Sequence, residues 1–519
     1  MRKFCSSFLS LVLFFACVPS PVIFAGSGDI ESTRTSGAVP RFTLDEAIVT
    51  ALQRNPGIQS ARQEIEHTKG LYLELRADIL PRVDANANLS NTDPHLSSLG
   101  RFSGDTSGGN SQLTGVPTRY SIAITATQII FAGGRVVSQI RSADFQRDSA
   151  YFAFRNAIDL VIANVRTQFY QILLNRALIG VQEESIQLLQ SQLQDQQNRF
   201  EAGTVPRFNV LQAQVALANQ QPDLISARNN YRIAQIQLAR TLGLDFDPNR
   251  SDGAPLEAIG ELRFVPRDMP LAMAIEVAKE RRPFLKEQKA NVLSSAAQVG
   301  VARSGFFPQV NATASEDISS NPLSENIRDV RNGYVFGATG SWAIWDWGQT
   351  YGRYKQAKAV LQEAKINYDD SVRQIELEVQ QAYSNLIQGR ELIRSQEQTV
   401  GQAQEALRLA SARLSAGAGT QLEVLNARVE VTRAQSTSLQ ALFTYNAAVA
   451  EFDRATATEV VYANKLDEPR TRNKVKTDAA PTPAPKPTPL PLNNAGIRQP
   501  VTTTTTTHST SRSRNSGGK

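Results

Sequence analysis

One stretch constrains this chain more than any other, a run from Gly133 to Phe200 that contains no proline. Leu, Ile, Val, Ala, Gln, Glu and Arg dominate it, and these residues favour or tolerate helix. At 1.5 Å of rise per residue, a single helix here would be about 100 Å long, several times the width of an ordinary domain. The same pattern returns from Gly348 to Leu414, at a constant offset of 214 residues. The sequence therefore predicts two long helices in an internally duplicated chain.

Each long helix leads into a glycine-containing turn and a second helix. The second helices are predicted over Phe208–Leu242 and Gln421–Arg454, so each half contains an antiparallel helical hairpin. In the second long helix, small and apolar residues recur at spacings of three and four, which is typical of a packed coiled-coil seam. The residues of this seam are Val372, Ile375, Val379, Ala382, Leu386, Gly389 and Ile393.

Two strands precede each long helix. Residues 83–90, 120–126, 310–315 and 334–342 alternate small or apolar side chains with polar ones, which indicates a sheet with one wet face. Four strands cannot close a barrel with room inside, and an open sheet edge in a bilayer leaves backbone groups unpaired. Two alternatives follow from the pattern. Either several chains share one membrane barrel, or the strands form a small soluble sheet that caps a coiled coil.

The order of these patterns divides the chain into six segments. They are a signal peptide (1–25), an N-terminal linker (26–42), a first structural repeat (43–242), a connector (243–268), a second structural repeat (269–455) and a disordered Pro/Thr-rich basic tail (456–519). The signal combines basic Arg2 and Lys3 with an apolar run that is too short to span a membrane. Cleavage after Ala25 would remove both cysteines. Cys17 also has an alternative role as a lipidated N-terminus, although the residues before it fit that pattern poorly.

The net charge of +6 does not indicate a nucleic-acid binder. Residues 470–519 carry nine Lys or Arg and one Asp, and the signal carries two more basic residues, so residues 26–469 have a net charge of −4. A nucleic-acid-binding protein would carry its positive charge on the folded part. The three histidines are scattered, and no catalytic, metal or phosphate-binding pattern is present. We therefore expect no enzymatic activity, no cofactor and no metal.

Local signatures recur in the same order in both halves, and together they resemble the TolC family of bacterial outer-membrane efflux proteins. The resemblance covers Phe42 to about Ala455. It rests on Leu44-x-x-Ala47-Ile48-x-x-Ala51-x-x-x-Asn55-Pro56, Leu80-Pro81, Ile130-Phe131-Ala132-Gly133-Gly134, Arg199-Phe200-x-x-Gly203 with Val210-Leu211-x-Ala213, and Arg413-Leu414-x-x-Gly417 with Val424-Leu425-x-Ala427.

The resemblance implies a mainly α fold with a membrane β-barrel. Duplicated helical hairpins would form a trimeric α-barrel across the periplasm, and each chain would contribute four strands to a shared twelve-stranded barrel in outer-membrane lipid. Such a homotrimer is the exit duct of a tripartite efflux or type I secretion system, joined to an inner-membrane pump through a periplasmic adaptor protein. The alternative is a periplasmic adaptor or structural coiled-coil protein, but an adaptor would have one hairpin and no doubled strand pair.

The resemblance also places a pore constriction at the periplasmic end of the helices. The matching positions are Glu423 and Asn426, with Asn426 in place of a second family acid, so a weaker cation-binding ring is expected. Glu423 could equally be a solvated helix residue. The family's polar latch falls on Leu414, Gly419 and Asn209, so a different and more apolar contact is expected to hold the tip shut.

Three further groups of residues carry predictions. The turns are expected to contact the adaptor, or to be plain hairpin turns, at Gly203, Thr204, Val205, Pro206, Gly417, Ala418, Gly419 and Thr420. Gly133, Gly134 and Gly348 are expected at sharp corners between strand and helix, where the backbone needs glycine. Trp342, Trp345 and Trp347 lie at the same junction, and they either form an aromatic belt at the membrane interface or pack the corner.

Overall fold

The long helices run where the sequence predicts them, in a computed structural model that describes residues 40–91, 118–244, 255–320 and 329–458. The elements are β1 (Arg41–Phe42), α1 (Leu44–Arg54), α2 (Pro56–Ala77), β2 (Arg82–Asn91), β3 (Thr118–Ala132), α3 (Arg135–Glu201), α4 (Arg207–Leu242), β4 (Glu257–Ala258), α5 (Leu271–Arg281), α6 (Pro283–Arg303), β5 (Gln309–Ser320), β6 (Val330–Ser341), α7 (Gln349–Ser415) and α8 (Gln421–Thr456). The predicted signal peptide, nearly all of the N-terminal linker and most of the basic tail lie outside the described residues.

Each repeat contains one uninterrupted helix of 67 residues, α3 or α7. Each repeat also contains two consecutive shorter helices, α1 and α2 or α5 and α6, which are separated by a polar residue followed by proline. Asn55 ends α1 and caps α2 by accepting hydrogen bonds from the amides of Gly57 and Ile58, while Pro56 opens α2.

In each repeat, the start of the second of these shorter helices meets the end of the helix that returns from the hairpin turn, α4 or α8. The Nδ2 atom of Asn55 donates to the carbonyl of Thr241 near the end of α4, at 2.7 Å. In the second repeat Arg282 occupies the position of Asn55, and its Nη1 donates to the carbonyl of Ala455 in α8, at 3.2 Å. The side chain at the break therefore holds the end of the returning helix in both repeats.

The helices pack side by side in a fixed order. The helix α3 packs against α2 and α6 along one part of its length and against α4 and α8 along the other, and α7 packs against α6 and α8. The order is thus α2 with α4, then α3, then α6 with α8, then α7. The predicted seam of α7 faces α8, and six of its seven residues are buried whereas Val372 is partly buried. Within one chain, the helical layer ends at α2 with α4 on one side and at α7 on the other.

The sheet repeats this order. Its strands run β2–β3–β5–β6, and every neighbouring pair is antiparallel. A row of paired residues crosses it through Val83, Ala126, Ala314 and Phe336, so most of the small and apolar residues of the four strands share one face, which also carries Glu316. The outer strands β2 and β6 have no further partner among the described residues. The sheet is therefore open at β2 and at β6. These strands connect to α2 and α7, where the helical layer also ends.

Several strand ends differ from the sequence prediction, and β3 continues to Ala132 while β6 already begins at Val330. The strand β5 continues to Ser320 instead of ending near Ser315, because β3 and β6 pair with it on both sides through Glu316 and Asp317. The strand β6 ends at Ser341, one residue before Trp342. A short parallel pair, β1 with β4, was not predicted, since two residues carry no periodicity.

Candidate functional site

The two hairpin turns share one backbone geometry. Gly203 and Gly417 both have φ of +72°, a left-handed conformation that glycine adopts without steric cost. The amide of Thr204 donates to the carbonyl of Arg199, and the amide of Ala418 donates to that of Arg413, each at 2.9 Å. These bonds satisfy carbonyls at the helix ends in the manner of a Schellman motif. Of the eight residues with a predicted adaptor contact, only Val205 and Gly419 are partly buried, and the other six are exposed.

The predicted pore-constriction residues lie one turn apart at the start of α8. The hydroxyl of Thr420 caps the helix by accepting from the amide of Glu423, at 3.3 Å. The Glu423 carboxylate lies 3.6 Å from the Arg413 guanidinium, which also donates to the carbonyl of Ala418. Asn426 is exposed and follows at i+3, so it shares a face with Glu423. Glu423 is thus neither isolated nor buried, and a cation of the same hairpin accompanies it.

The positions that match the family latch make no polar contact with one another among the described contacts. Gly419 lies against its own hairpin, where an added Cβ would be 3.0 Å from Arg413 Cβ. A polar contact occurs elsewhere near the tip. Gln196 of α3 donates to Gln421 of α8 at 3.4 Å, and both side chains are buried. The sequence analysis missed this pair, because glutamines are frequent along both helices and nothing singles these two out.

The corners between strand and helix adopt left-handed backbone conformations in both repeats. The φ angles are +58° at Gly133, +83° at Gly134 and +87° at Gly348. Gly133 leaves no room for a side chain, since an added Cβ would be 2.7 Å from Phe307 Cβ and from the carbonyl oxygen of Ser304. Trp347 occupies the position of Gly133 in the second repeat, and its φ is +54°.

Asp346 organises the second corner. Its carboxylate accepts from the amide of Gly348 at 3.0 Å and from the amide of Thr350 at 2.7 Å, so it caps the start of α7. Hydrogen bonds from Thr350 and from the backbone amides lower the pKa of this carboxyl group below its usual value.

The three tryptophans divide into two groups. Trp342 donates its Nε1 hydrogen to the carbonyl of Phe306 at 3.2 Å, so it packs the corner. Trp345 and Trp347 contact each other edge to face, with centroids 5.7 Å apart, and they are 76% and 90% exposed. These two indoles have no partner beyond each other among the described contacts.

Other kinds of site are not found in the part of the chain that the structure describes. That part contains no cluster of three or more His, Cys, Asp or Glu residues that could hold a metal ion. None of its helices combines the length and the apolar character needed to cross a membrane.

Comparison with known proteins identifies the family. The family model described as "Outer membrane efflux protein" matches residues 47–244 and 274–458. The chain is 24% identical to the solvent efflux pump outer membrane protein SrpC of Pseudomonas putida over 434 residues, which are 80% of this chain and 86% of that protein. It is 21% identical to the outer membrane efflux protein BepC of Brucella suis over 460 residues, which are 88% and 93% of the two chains.

Solved structures show the same fold. The crystal structure of the Campylobacter jejuni CmeC outer membrane channel superimposes with a TM-score of 0.69 and 17% sequence identity, over 80% of this chain and 85% of that one. The mainly α fold with strands of a membrane channel, predicted above, is confirmed.

Proposed function

The chain belongs to the outer membrane efflux protein family, and from that premise we propose that three copies close into one duct across the outer membrane and the periplasm. As a family member it is an outer-membrane channel with a periplasmic extension, the exit duct of a tripartite efflux system. The proteins that it resembles are channels. In our proposal this chain likewise catalyses no reaction, and an inner-membrane pump supplies the energy.

The observation that carries the trimer is the pair of matching open edges. The sheet is open at β2 and β6, and the helical layer is open at α2 with α4 and at α7. Unpaired strand edges cannot remain in hydrocarbon, so β6 of one copy must pair with β2 of another. Two copies would give eight strands, whose interior is filled by side chains, whereas three copies give twelve strands and leave room for a channel. The helices of the three copies would close in the same order.

The apolar face of the sheet fits contact with outer-membrane lipid. Tyr334 and Phe336 are each 69% exposed on this face, and Val83 and Leu89 are 64% and 73% exposed on the other edge strand. Strands of 10 to 15 residues are long enough to cross a bilayer when tilted. The polar face would then line the channel.

At the other end of the helices we propose the pore constriction and the adaptor contacts. Three copies of Glu423, with Asn426 one turn on, would form a ring that favours cations, and Arg413 would partly offset its charge. The rigid, mostly exposed turns Gly203–Pro206 and Gly417–Thr420 would bind the periplasmic adaptor of an efflux or type I secretion system.

Electron microscopy of the detergent-extracted protein tests the assembly. We expect a hollow particle with threefold symmetry, and a mass by light scattering of three chains after subtraction of the detergent. A monomer, or a solid rod that is soluble without detergent, would show that the strands cap a coiled coil and would overturn the proposal.

A further inference from the structure

The duplication allows an internal seam of the chain to be compared with its open edge. Inside the chain, the corner between β3 and α3 packs against the corner between α6 and β5, where Gly133 meets Phe307. At the offset of 214 residues Gly133 corresponds to Trp347, and at the offset of 227 residues Phe307 corresponds to Leu80. In a closed trimer, the corner that carries Trp347 would face the corner of a neighbouring copy that carries Leu80.

The side chains of the two seams differ in a complementary way. In the internal seam, Gly133 has no side chain and lies against Phe307, which has a large ring. A Cβ added at Gly133 would be 2.7 Å from Phe307 Cβ, so no larger residue fits at position 133. The edge positions combine the large indole of Trp347 with the smaller Leu80. Trp347 keeps the left-handed backbone of its counterpart, a conformation that a residue with a Cβ rarely adopts. A large side chain is therefore held at the position where the internal seam admits none.

The exposed fractions of the side chains also differ between the internal seam and the open edges. In the internal seam, Phe131 and Phe307 are 46% and 41% exposed. Their counterparts at the open edges, Trp345 and Leu80, are 76% and 67% exposed. Every edge residue is more exposed than its internal counterpart, as expected for a seam that lacks one side. The side chains compared at the two open edges are therefore exposed and apolar.

We propose that Trp347 is an interaction residue between copies, packed against Leu80 of the neighbouring copy, with Trp345 against its ring. The seam between copies is consequently wider at this level than the seam within a chain, and the indole fills the added space. This inference rests on the trimer proposed above, and it assigns the two exposed tryptophans to the protein interface instead of the lipid.

Paired cysteines test the contact directly. In the mature chain we would combine Trp347→Cys with Leu80→Cys, treat the purified protein with a short bifunctional thiol cross-linker that can span the width of an indole, and separate it on a denaturing gel. Covalent dimers and trimers are expected. The matched control pairs Trp347→Cys with Leu73→Cys, because Leu73 is also exposed but lies on α2, before the corner that carries Leu80. We expect at least tenfold less cross-linking from that pair.

Light scattering of the same samples before cross-linking separates the two proposals. Absence of a trimer in the variants and in the unmodified protein would contradict the proposed assembly. A trimer that forms but gives no more cross-linked product than the control pair would overturn the role of Trp347.

Fluorescence provides a second measurement that does not need a cross-link. The chain has three tryptophans, so Trp342→Phe with Trp345→Phe leaves Trp347 as the sole emitter. In vesicles containing brominated phospholipid we expect Trp347 to be quenched less than half as strongly as a tryptophan placed by Phe336→Trp in a background without the native three. Equal quenching of the two would mean that Trp347 faces lipid, and would overturn the inference.

Discussion

At the scale of single residues, the two repeats use different side chains for the same contact. At the break between the shorter helices, the neutral amide of Asn55 bonds the end of α4 in the first repeat. In the second repeat the charged Arg282, which is 5% exposed, bonds the end of α8. A buried guanidinium needs a counter-charge, and Glu378 provides it at 2.7 Å. Burial alone would raise the pKa of the Glu378 carboxyl, but Arg282 and Arg454 lower it below the ordinary value of 4.5. Arg282 and Glu378 therefore depend on each other.

We predict that Glu378→Gln lowers the free energy of unfolding by about 3 kcal/mol, because it removes the carboxylate that is hydrogen-bonded to the buried Arg282 guanidinium. The control is Glu376→Gln, whose partner Lys279 is 42% exposed, and it should change the stability by less than about 1 kcal/mol. Urea unfolding in detergent measures both. Similar losses from the two variants would contradict this account.

The same pair predicts a pH dependence with a definite sign. Because the pKa of Glu378 is lowered in the folded state, its contribution is complete above pH 4.5 and disappears as the pH falls through the lower folded value. The melting temperature of the unmodified protein should therefore fall below pH 4.5 more steeply than that of Glu378→Gln.

The proposed pore constriction can also be tested by single substitutions. Glu423→Gln should lower the preference for cations in planar bilayers, because it removes the negative ring. Arg413→Gln should raise that preference, because it removes the compensating charge 3.6 Å away. Opposite shifts are expected at the same salt concentration. If neither variant alters the preference, Glu423 does not face the ions.

At the scale of elements, the contact between α7 and α8 depends on one glycine. The seam of α7 is buried against α8, and at Gly389 an added Cβ would be 3.0 Å from the Cα and 3.2 Å from the Cβ of Tyr445. Tyr445 is itself fully buried and donates its hydroxyl hydrogen to the carbonyl of Val265. The small residue thus lets the two helices approach closely enough for Tyr445 to reach the connector.

Two glycine substitutions on α7 should have opposite effects. Gly389→Ala should destabilise the protein by about 1–3 kcal/mol, because the helices must separate or distort. Gly401→Ala, at a helical position with nothing within 4 Å of the new Cβ, should stabilise it by about 0.5–1 kcal/mol through helix propensity. Thermal unfolding of the two variants measures the difference, and a stabilising Gly389→Ala would show that the helices are not in close contact there.

At the scale of the whole molecule, the sheet and the helical layer are open on the same two sides of the chain. One side carries β2 and α2 with α4, and the other carries β6 and α7. The strand order β2–β3–β5–β6 follows the order of the helices to which the strands connect. Closure by further copies therefore joins strand to strand and helix to helix at the same interface. A single copy would leave an unpaired edge on each side of a largely apolar sheet face, and such edges favour association.

The sequence alone determined the repeats, the long helices and the breaks between the shorter helices. Absence of proline, helical spacing of small residues and paired Asn-Pro or Arg-Pro breaks are local signals, and local backbone preference decides them. Only the tertiary structure decided which contacts cross the repeats. The continuation of β5 through Glu316 and Asp317 depends on strands on both sides, and the Gln196–Gln421 pair joins residues far apart in sequence. The meaning of Trp347 also depended on the structure, since its left-handed φ and its exposure are visible only beside the closed seam at Gly133.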